Sequence, residues 1–375
     1  MSYLFKNATV VTGEQILENH DVLVEKEKIT KVASEITAPK DAEIIDVKGD
    51  YLIPGLIDLQ VNGGAGAFFT KDLTEESIQK MGEAHMEFGT TSFLPTLIST
   101  SFDMILTAIE ITKKCIGKWG VLGMHLEGPY FNKKKKGAHF EKFIHNPTED
   151  EIKQLCKHGK DVIKLLTLAP EITEPRFIRM LVDNNIKVSA GHSNATYDEA
   201  MDGFKNGISK VTHLFNAMSQ FNSRNPGLVG AFFNSNSWGA IIVDGVHVDF
   251  AAVNVAYTLA KGRLFLVSDA SFVKHPVKHF KFDGFDIKNI DGNYYTEEGN
   301  LAGASISLYD AFKNCVERLN LPLLDAVKMS TAYPAEFLGV GHEIGYIKEG
   351  LKADILILDK ALLIREVFKN GIKKT

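Results

Sequence analysis

The chain has 375 residues, of which 45% are hydrophobic and 24% are charged, and its formal net charge at pH 7 is −5. This is the composition of an ordinary globular protein, and the lack of a basic surplus predicts no binding to nucleic acid or to a membrane surface. Its three isolated cysteines, Cys115, Cys156 and Cys315, predict a reducing, cytoplasmic environment without disulfide bonds or a CxxC metal site.

Both ends of the chain are rich in predicted strands. The first residues, MSYLFKNATVV, lack the basic and apolar regions of a signal peptide, and LFKNATVVT, HDVLVEKEKITKVA and AEIIDVKG predict short strands. Near the other end, ADILILDK and IREVFKNGIK predict two more. Because neither set is large enough to form a stable sheet alone, we expect residues 1–51 and 342–375 to build one small β-sandwich domain.

The middle of the chain, residues 52–341, alternates between apolar strand-like runs and helical stretches such as TEESIQKMGEAHMEFG and TEDEIKQLCKHG. Such alternation predicts parallel βα units. Eight of these units close into a (β/α)₈ TIM barrel, an α/β fold whose functional sites lie at the carboxyl ends of the strands. No apolar run is long enough to span a membrane.

Five successive predicted strands are each followed by a titratable residue. VLGMH leads to Glu127, KVSAG to His192, KVT to His213, AIIVDGV to His247 and LFLVS to Asp269. A strand-end histidine alone is as well explained by a hydrogen bond to a loop carbonyl, Glu127 by a capped turn, and Asp269 by a helix N-cap. Five in a row favour a barrel with a polar mouth.

The residue types indicate a metal-dependent hydrolase. Glu127, His192 and His213 offer a carboxylate and two imidazoles, a common ligand set for a catalytic divalent ion. Asp269 is placed to accept a proton from a water molecule and return it to a leaving group. Gln60 and Asn62, at the end of an apolar strand predicted from Leu52 to Leu59, point to one side because strand side chains alternate.

Three further features are less specific. The lysine run at 133–136 is typical of a solvated loop, or it attracts an anionic substrate. His139 lies just after it and is either a surface histidine or a substrate contact. Arg224, in the Gly/Pro-containing segment NSRNPGLVG, is either an exposed arginine or a phosphate ligand.

Several motifs together resemble one family. PGLIDLQVNGG, HLEGPYFN, KKGAH, GHSNAT, THLFNAM, RNPGLVGA, VDGVHVD, LVSDA and LAGAS resemble the N-acetylglucosamine-6-phosphate deacetylases of the amidohydrolase superfamily. The resemblance covers about residues 50–340. It implies a distorted barrel, one divalent metal ion per subunit, a phosphorylated N-acetyl amino sugar as substrate, hydrolysis of its acetamide to the amine and acetate, and a homodimer.

The same resemblance implies a role for individual residues. Glu127, His192 and His213 would hold the metal ion, and Asp269 would be the catalytic acid/base. Arg224 would bind the phosphate, in its own or the neighbouring subunit's site. The residues implied in substrate binding are Ala138, His139, Asn216, Ala217, Arg224, His247, Leu301, Ala302, Gly303 and Ala304.

The two strand-end amides bear on how many metal ions are bound. Many members of the superfamily have His-x-His where this chain has Gln60 and Asn62, and they bind a second metal there. An amide oxygen is a poorer transition-metal ligand than imidazole, so we predict a vacant second-metal position, with the two amides bonded to water or to loops. Zinc is the expected ion, although iron, cobalt and manganese accept the same ligands.

Other activities stay open from the sequence. Deacetylation of the galactosamine epimer, hydrolysis of a cyclic amide, or a deamination would use the same metal and base. A non-catalytic barrel that binds a sugar phosphate is a further alternative, which the complete ligand set and Asp269 disfavour. The long segment 274–300 is predicted to be a loop at the edge of the pocket or at a subunit contact.

Overall fold

A computed structural model describes residues 2–260 and 262–374. Within them the strands are β1 Ser2–Val11, β2 Ile16–Glu25, β3 Lys28–Ala33, β4 Ala42–Asp46, β5 Tyr51–Pro54, β6 Leu56–Val61, β7 Gly63–Gly64, β8 Ala67–Phe68, β9 Thr90–Ile98, β10 Met124–Glu127, β11 Ile163–Leu168, β12 Lys187–Ala190, β13 Ile208–Val211, β14 Trp238–Ile241, β15 Leu264–Leu266, β16 His279–Phe282, β17 Phe285–Ile290, β18 Asn293–Thr296, β19 Ile355–Leu358, β20 Ile364–Lys369 and β21 Ile372–Lys373. The α-helices are α1 Glu75–Glu87, α2 Phe102–Cys115, α3 Glu149–His158, α4 Pro175–Asp183, α5 Tyr197–Lys205, α6 Gly227–Phe233, α7 Phe250–Ala260, α8 Leu308–Glu317, α9 Leu323–Ser330 and α10 Ala332–Leu338.

Strands from both ends of the chain share one sheet, in the order β21-β20-β19-β5-β1-β2-β3. Strand β1 pairs with β2 along one edge, and with β4 and then β5 along the other, so the sheet forks at β1. Tyr3 and Phe5 lie on the face that packs against Phe368, with ring centroids 5.2 and 5.0 Å from it. Leu4, between them, belongs to a separate apolar cluster with Leu23 and Ile36. The alternation gives this sheet buried apolar side chains on both faces.

The central sheet is an eight-stranded parallel barrel with the strand order β6-β9-β10-β11-β12-β13-β14-β15. Its strands are almost completely buried, as expected for parallel strands that are covered on both faces. Helices α3 and α5 follow capping boxes, Thr148 with Glu151 and Thr196 with Glu199, which fix where each helix begins. The predicted combination of a barrel and a strand-rich domain from both termini is confirmed.

The barrel closes between β6 and the residues that follow β15. Val61 and Ala270 form a parallel bridge. The backbone N–H of Asp269 donates to the backbone carbonyl of Gln60 at 3.0 Å, and the backbone N–H of Asn62 donates to the backbone carbonyl of Ala270 at 2.9 Å. This pairing places the first strand of the barrel directly beside Asp269.

The predicted single strand from Leu52 to Leu59 is wrong. Strand β5 belongs to the terminal sheet, where it pairs with β1 and β19, and β6 begins the barrel. Gly55 separates them, and a Cβ at this position would lie 2.1 Å from Thr91 Oγ1. Only glycine allows this close approach.

The prediction that residues 274–300 form a loop is also wrong. It contains the antiparallel sheet β16-β17-β18, whose connections are Asp283-Gly284 and Asp291-Gly292, all four with positive φ. Asp-Gly with this backbone is the preferred two-residue connection of a β-hairpin. Phe280, Phe285, Ile287 and Tyr294 of this sheet pack against Phe68 and Phe272 of the barrel mouth. We call residues 279–296 the lid sheet.

The chain divides into two compact units. One comprises Met1–Asp58, His85–Ser92 and Leu308–Thr375, and the other comprises Leu59–Ala84 and Phe93–Ser307. The predicted domain boundaries after residues 51 and 341 stay a prediction. Among the described residues, no helix has the length and apolarity needed to cross a membrane.

We expect Phe5→Ala to lower the free energy of unfolding by about 3–5 kcal/mol, the usual cost of removing a buried phenylalanine. Phe5 is fully buried and contacts both Tyr3 and Phe368. The matched control is Ile44→Ala in β4 of the same sheet, because Ile44 is 56% exposed and should change stability by less than about 0.5 kcal/mol. Urea unfolding followed by circular dichroism measures both, and equal effects would contradict the assigned core.

Candidate metal-dependent active site

A cavity of about 380 Å³ opens at the carboxyl ends of the barrel strands. Polar side chains from the ends of several strands meet in it, and the lid sheet contributes Phe285. The lining residues are Asn62, Phe68, Ile98, Glu127, Lys134, Lys135, Gly137, Ala138, His139, His192, His213, Asn216, Ala217, His247, Asp269, Ser271, Phe285, Asn300, Leu301, Ala302 and Gly303.

Three side chains converge at the base of the cavity. The Nε2 atoms of His192 and His213 lie 3.4 and 3.1 Å from Glu127 Oε1, and 3.1 Å from each other. Glu127 ends β10, while the two histidines follow β12 and β13 by two residues, so the carboxyl ends of three strands of one barrel bring them together. All three side chains are at most 5% exposed.

The hydrogen bond on the far side of His192 identifies which nitrogen can bind a metal ion. His192 Nδ1 lies 2.9 Å from the Lys135 carbonyl oxygen, which only accepts hydrogen bonds, so Nδ1 carries the proton and Nε2 presents its lone pair. His213 Nδ1 is buried and has no hydrogen-bond partner among the described residues. Two imidazole nitrogens and a carboxylate oxygen that face one point are a suitable ligand set for a divalent cation.

His139 lies against this cluster but has the opposite tautomer. Glu127, His139 and His192 form a group with ligand atoms within 4.8 Å of one another. However, His139 Nδ1 accepts the backbone N–H of Ser99 at 3.2 Å and lies 2.9 Å from Ser99 Oγ. A neutral His139 therefore carries its proton on Nε2, which makes Nε2 a hydrogen-bond donor and not a metal ligand. Burial, together with the neighbouring His192, holds the pKa of His139 well below its usual range.

The amides Gln60 and Asn62 hold the two carboxylates of the site. Gln60 Nε2 donates to Glu127 Oε1 at 2.9 Å and to Asp269 Oδ1 at 3.1 Å. Asn62 Nδ2 donates to Asp269 Oδ1 at 2.7 Å. Both amides point to one side, as the strand alternation predicts, but their partners are the site's own carboxylates, where the sequence led us to expect water or loops.

The two carboxylates differ strongly in proton affinity. Burial, reinforced by the charge of Glu127, raises the pKa of Asp269 to about 7. Burial acts on Glu127 in the same direction, but the two neighbouring imidazoles, His192 and His213, outweigh it and hold the pKa of Glu127 well below its usual range. Glu127 is therefore ionised at neutral pH, while Asp269 is close to the point where it gains or loses a proton.

His247 is fixed by a carboxylate. Its Nδ1 donates to Asp244 Oδ2 at 2.6 Å, and Asp244 Oδ1 accepts the backbone N–H groups of Val246 and His247, both at 2.8 Å. This tight turn after β14 leaves His247 Nε2 available on the cavity side. Burial opposes ionisation of Asp244, but the hydrogen bond with His247 prevails and lowers the pKa of Asp244.

Left-handed backbone conformations concentrate at this site. His192, His213 and Asp269 have φ values of 48°, 28° and 51°, a region that residues other than glycine seldom occupy. Gly303, with φ of 67°, packs closely against the turn that contains Asp269. A Cβ at this position would lie 2.3 Å from Ser271 Oγ and 2.9 Å from the Asp269 carbonyl oxygen, so only glycine fits there. The backbone thus turns each side chain into the cavity directly after its strand ends.

Most residues predicted to bind substrate line the cavity. Ala304 does not, although its N–H donates to the Asp269 carbonyl at 2.8 Å. Arg224 is exposed, in a turn that Asn222 stabilises, and does not reach the cavity of its own chain.

Several residues that line the cavity were not predicted from the sequence. These are Phe68, Ile98, Gly137, Ser271, Phe285 and Asn300. Lys134 and Lys135 line the cavity as well, whereas Lys136 pairs with Glu298 at 2.8 Å. Asn300 directly precedes the LAGAS motif, which is the one sequence signal that pointed toward it.

We expect Asn62→Leu to move the acidic limb of the activity–pH profile to higher pH. The Asn62 hydrogen bond lowers the pKa of Asp269, so its loss raises that pKa and leaves less of the basic form at a given pH. A hydrogen bond to a charged group contributes about 1.5–3 kcal/mol, which corresponds to a shift of roughly one pH unit or more. Asn300→Leu is the control, because it alters a cavity amide that does not contact Asp269; equal profiles for the two variants would contradict the assignment.

Comparison with known proteins agrees with this geometry. Residues 51–374 match the amidohydrolase family, and residues 2–52 match the NagA composite domain. The N-acetylglucosamine-6-phosphate deacetylase of Haemophilus influenzae is 35% identical over 99% of both chains. An N-acetylgalactosamine-6-phosphate deacetylase of a Shewanella species is 35% identical over 94% of this chain and 91% of its own.

A solved structure extends the likeness to three dimensions. N-acetylglucosamine-6-phosphate deacetylase from Pasteurella multocida has a TM-score of 0.95 and 34% identity over 99% of both chains. These comparisons confirm the resemblance seen in the motifs. The chain belongs to the amidohydrolase family, and N-acetylglucosamine-6-phosphate deacetylases are among its full-length relatives.

Proposed function

We propose that this protein is a metal-dependent deacetylase that hydrolyses N-acetylglucosamine 6-phosphate to glucosamine 6-phosphate and acetate. The observation that carries the proposal is the convergence of Glu127 Oε1 with two histidine nitrogens beside the buried Asp269. Full-length relatives with this activity in their names support the choice of substrate.

Glu127, His192 and His213 are the residues that would hold the metal ion. A divalent ion there supplies Lewis-acid polarisation of the acetamide carbonyl and lowers the pKa of water. The ligand set suits zinc, our expected ion, and also iron, cobalt or manganese. Gln60 and Asn62 offer amides where a second ion would need imidazole, so we expect one ion per subunit.

Some side chains of this chain transfer protons in the proposed reaction, and others position the substrate. Asp269 accepts the proton of the attacking water and then protonates the sugar nitrogen as the C–N bond breaks. His139 donates its Nε2–H to the acetamide oxygen as negative charge develops on it. Phe285 and Phe68 exclude water above the acetyl group, and His247 contacts the sugar or its phosphate.

The phosphate requires a cationic site. Lys134 and Lys135 line the cavity and favour an anionic substrate by their charge. Arg224 is exposed and does not line the cavity of its own chain, so we assign it to the phosphate in the site of a partner subunit. There its planar guanidinium can bind two phosphate oxygens at once.

An apolar strip on α7 supports the homodimer that this assignment requires. The helix FAAVNVAYTLA has no charged residue, and Val255 and Leu259, one turn apart, are 54% and 45% exposed. Phe221, in the same exposed loop as Arg224, is 61% exposed. Exposed apolar side chains of this kind are typical of a protein–protein interface.

Deacetylation of N-acetylgalactosamine 6-phosphate is the second candidate. The Shewanella relative named for that activity is as similar, at 35% identity, as the Haemophilus influenzae relative. Both substrates place the acetamide and phosphate alike and differ in one hydroxyl at C4. Parallel kcat/KM measurements with the two sugars decide between them.

We expect the metal-loaded protein to release acetate rapidly from N-acetylglucosamine 6-phosphate and slowly from the unphosphorylated sugar. Asp269→Asn should lower kcat by about 10²–10⁴, the usual contribution of a general acid–base, and should still bind metal and substrate. Enzymatic acetate determination and metal analysis measure both. No release from either sugar by protein that has bound metal would refute the substrate, and near-normal turnover by the variant would remove Asp269 from its role.

We expect Arg224→Ala to raise KM by about 10- to 100-fold with a smaller change in kcat, because a hydrogen-bonded ion pair to phosphate is lost. Arg224→Lys is the control, because it keeps the positive charge but lacks the planar guanidinium that can bind two phosphate oxygens.

Mixed dimers distinguish the two subunits' contributions. Each of Arg224→Ala and Asp269→Asn should be poorly active alone. If Arg224 acts in the partner's site, a mixed dimer contains one complete site, with Asp269 from one subunit and Arg224 from the other, and activity at low substrate returns. Absence of recovery in dimers shown to have exchanged subunits would place Arg224 elsewhere.

A further inference from the structure

Glu171 is a charged residue at a strand end to which no role is assigned above. It lies in the short 3₁₀ turn Pro170–Ile172, just after β11. Its carboxylate accepts three hydrogen bonds: from Asn132 Nδ2 at 2.9 Å, from Ser193 Oγ at 2.7 Å and from the Asn194 backbone N–H at 2.6 Å. The donors come from two different loops of the cavity wall.

One of these loops begins directly after His192. Ser193 and Asn194, both bonded to Glu171, follow the residue whose φ of 48° turns its imidazole into the cavity. A left-handed residue other than glycine persists only where its surroundings hold it. The backbone N–H of Ser193 is held by the Ala217 carbonyl at 3.1 Å. Glu171 adds a second restraint on the same turn, because it holds the Ser193 hydroxyl and the Asn194 N–H.

The second loop reaches His192 from the other direction. Asn132 joins Glu171 through its Nδ2, and its Oδ1 accepts the Lys134 N–H at 3.0 Å, which caps the turn Lys133–Lys135. The carbonyl oxygen of Lys135 in turn accepts a hydrogen bond from His192 Nδ1–H at 2.9 Å. The Asn132 N–H also donates to the His192 carbonyl at 3.0 Å. Glu171 thus closes a ring of hydrogen bonds around His192.

We propose that Glu171 is a positioning residue that fixes the orientation of His192 for metal binding by joining the 132–135 turn to the 193–194 turn. This inference rests on the proposed metal site. Glu171 does not face the cavity, so it touches neither substrate nor metal. Its effect is to hold His192 Nε2 toward Glu127 and to keep the proton on Nδ1. Groups that hydrogen-bond the second nitrogen of a metal-binding histidine typically change metal affinity 10- to 100-fold when they are removed, and Glu171 acts on such a group, the Lys135 carbonyl, through Asn132.

Cobalt binding to metal-free full-length protein tests the proposal without an activity assay. Glu171→Gln keeps the shape but offers one acceptor oxygen and places an NH₂ group against donors. We expect its cobalt dissociation constant, measured by chelator competition, to rise 10- to 100-fold and the visible absorption bands of bound cobalt to change. Glu174→Gln, on an exposed residue three positions away that pairs with Arg176, is the matched control and should bind like the wild type.

A second variant protects the test against simple misfolding. Asn132→Ala leaves Glu171 intact but breaks the ring, so it should weaken cobalt binding in the same direction, and the double variant should be less than additive. Circular dichroism of each metal-free variant should match the wild type. Wild-type affinity and spectrum in both single variants would overturn the role of Glu171. Failure of the wild type itself to bind cobalt would refute the proposed metal site, and with it this inference.

Discussion

Barrel closure is the constraint on which the rest of the site depends. The residues that follow β15 pair with β6, so Asp269, late in the chain, lies against Gln60 and Asn62, near its start. The same pairing lets one side-chain amide, that of Gln60, bond both Asp269 and Glu127. Without closure the two carboxylates would have neither a common donor nor a common dry environment. The proton affinity of Asp269, which burial raises, is therefore a consequence of the barrel itself.

Three of the proposed site residues occupy strained backbone positions, and the loops around them provide the restraint. A left-handed residue other than glycine costs on the order of 1–3 kcal/mol, and His192, His213 and Asp269 all have this conformation. Hydrogen bonds between neighbouring loops offset that cost, as the ring through Glu171 does for His192 and the bond from the Ala304 N–H to the Asp269 carbonyl does for the Asp269 turn. The geometry of the proposed metal site therefore depends on the stability of these loops. A substitution that disturbs the loops should first lower the affinity for the metal ion.

Position along a strand was predictable from the sequence, whereas contacts between loops were not. An apolar run that ends in a polar residue marks a strand end, and this pattern located Glu127, His192, His213, His247 and Asp269 in one cavity. The prediction that the five strands are successive is wrong, because KLLTL forms β11 between β10 and β12. This strand is followed by Ala-Pro-Glu, so Glu171 also lies at a strand end, three residues after Leu168, and the sequence pattern missed it. The lid sheet was also visible in its two Asp-Gly pairs. The tautomers of His139 and His192 were not visible, because they depend on a backbone N–H and a carbonyl brought in by folding.

The electrostatic balance of the site explains why amides stand at the strand end. Glu127 and Asp269 are two buried carboxylates, and the repulsion between them, added to burial, raises the pKa of Asp269 to about 7. A single divalent cation would balance two negative charges, and the Gln60 NH₂ group already bonds an oxygen of each carboxylate. A second cation beside Gln60 would have to displace these hydrogen bonds and would leave the buried site with net positive charge. Histidines in place of the amides would bind a second cation through a nitrogen lone pair, and that nitrogen would then have no N–H to donate to the carboxylates. The amide pair and the single metal ion that we propose are therefore two consequences of the same charge balance.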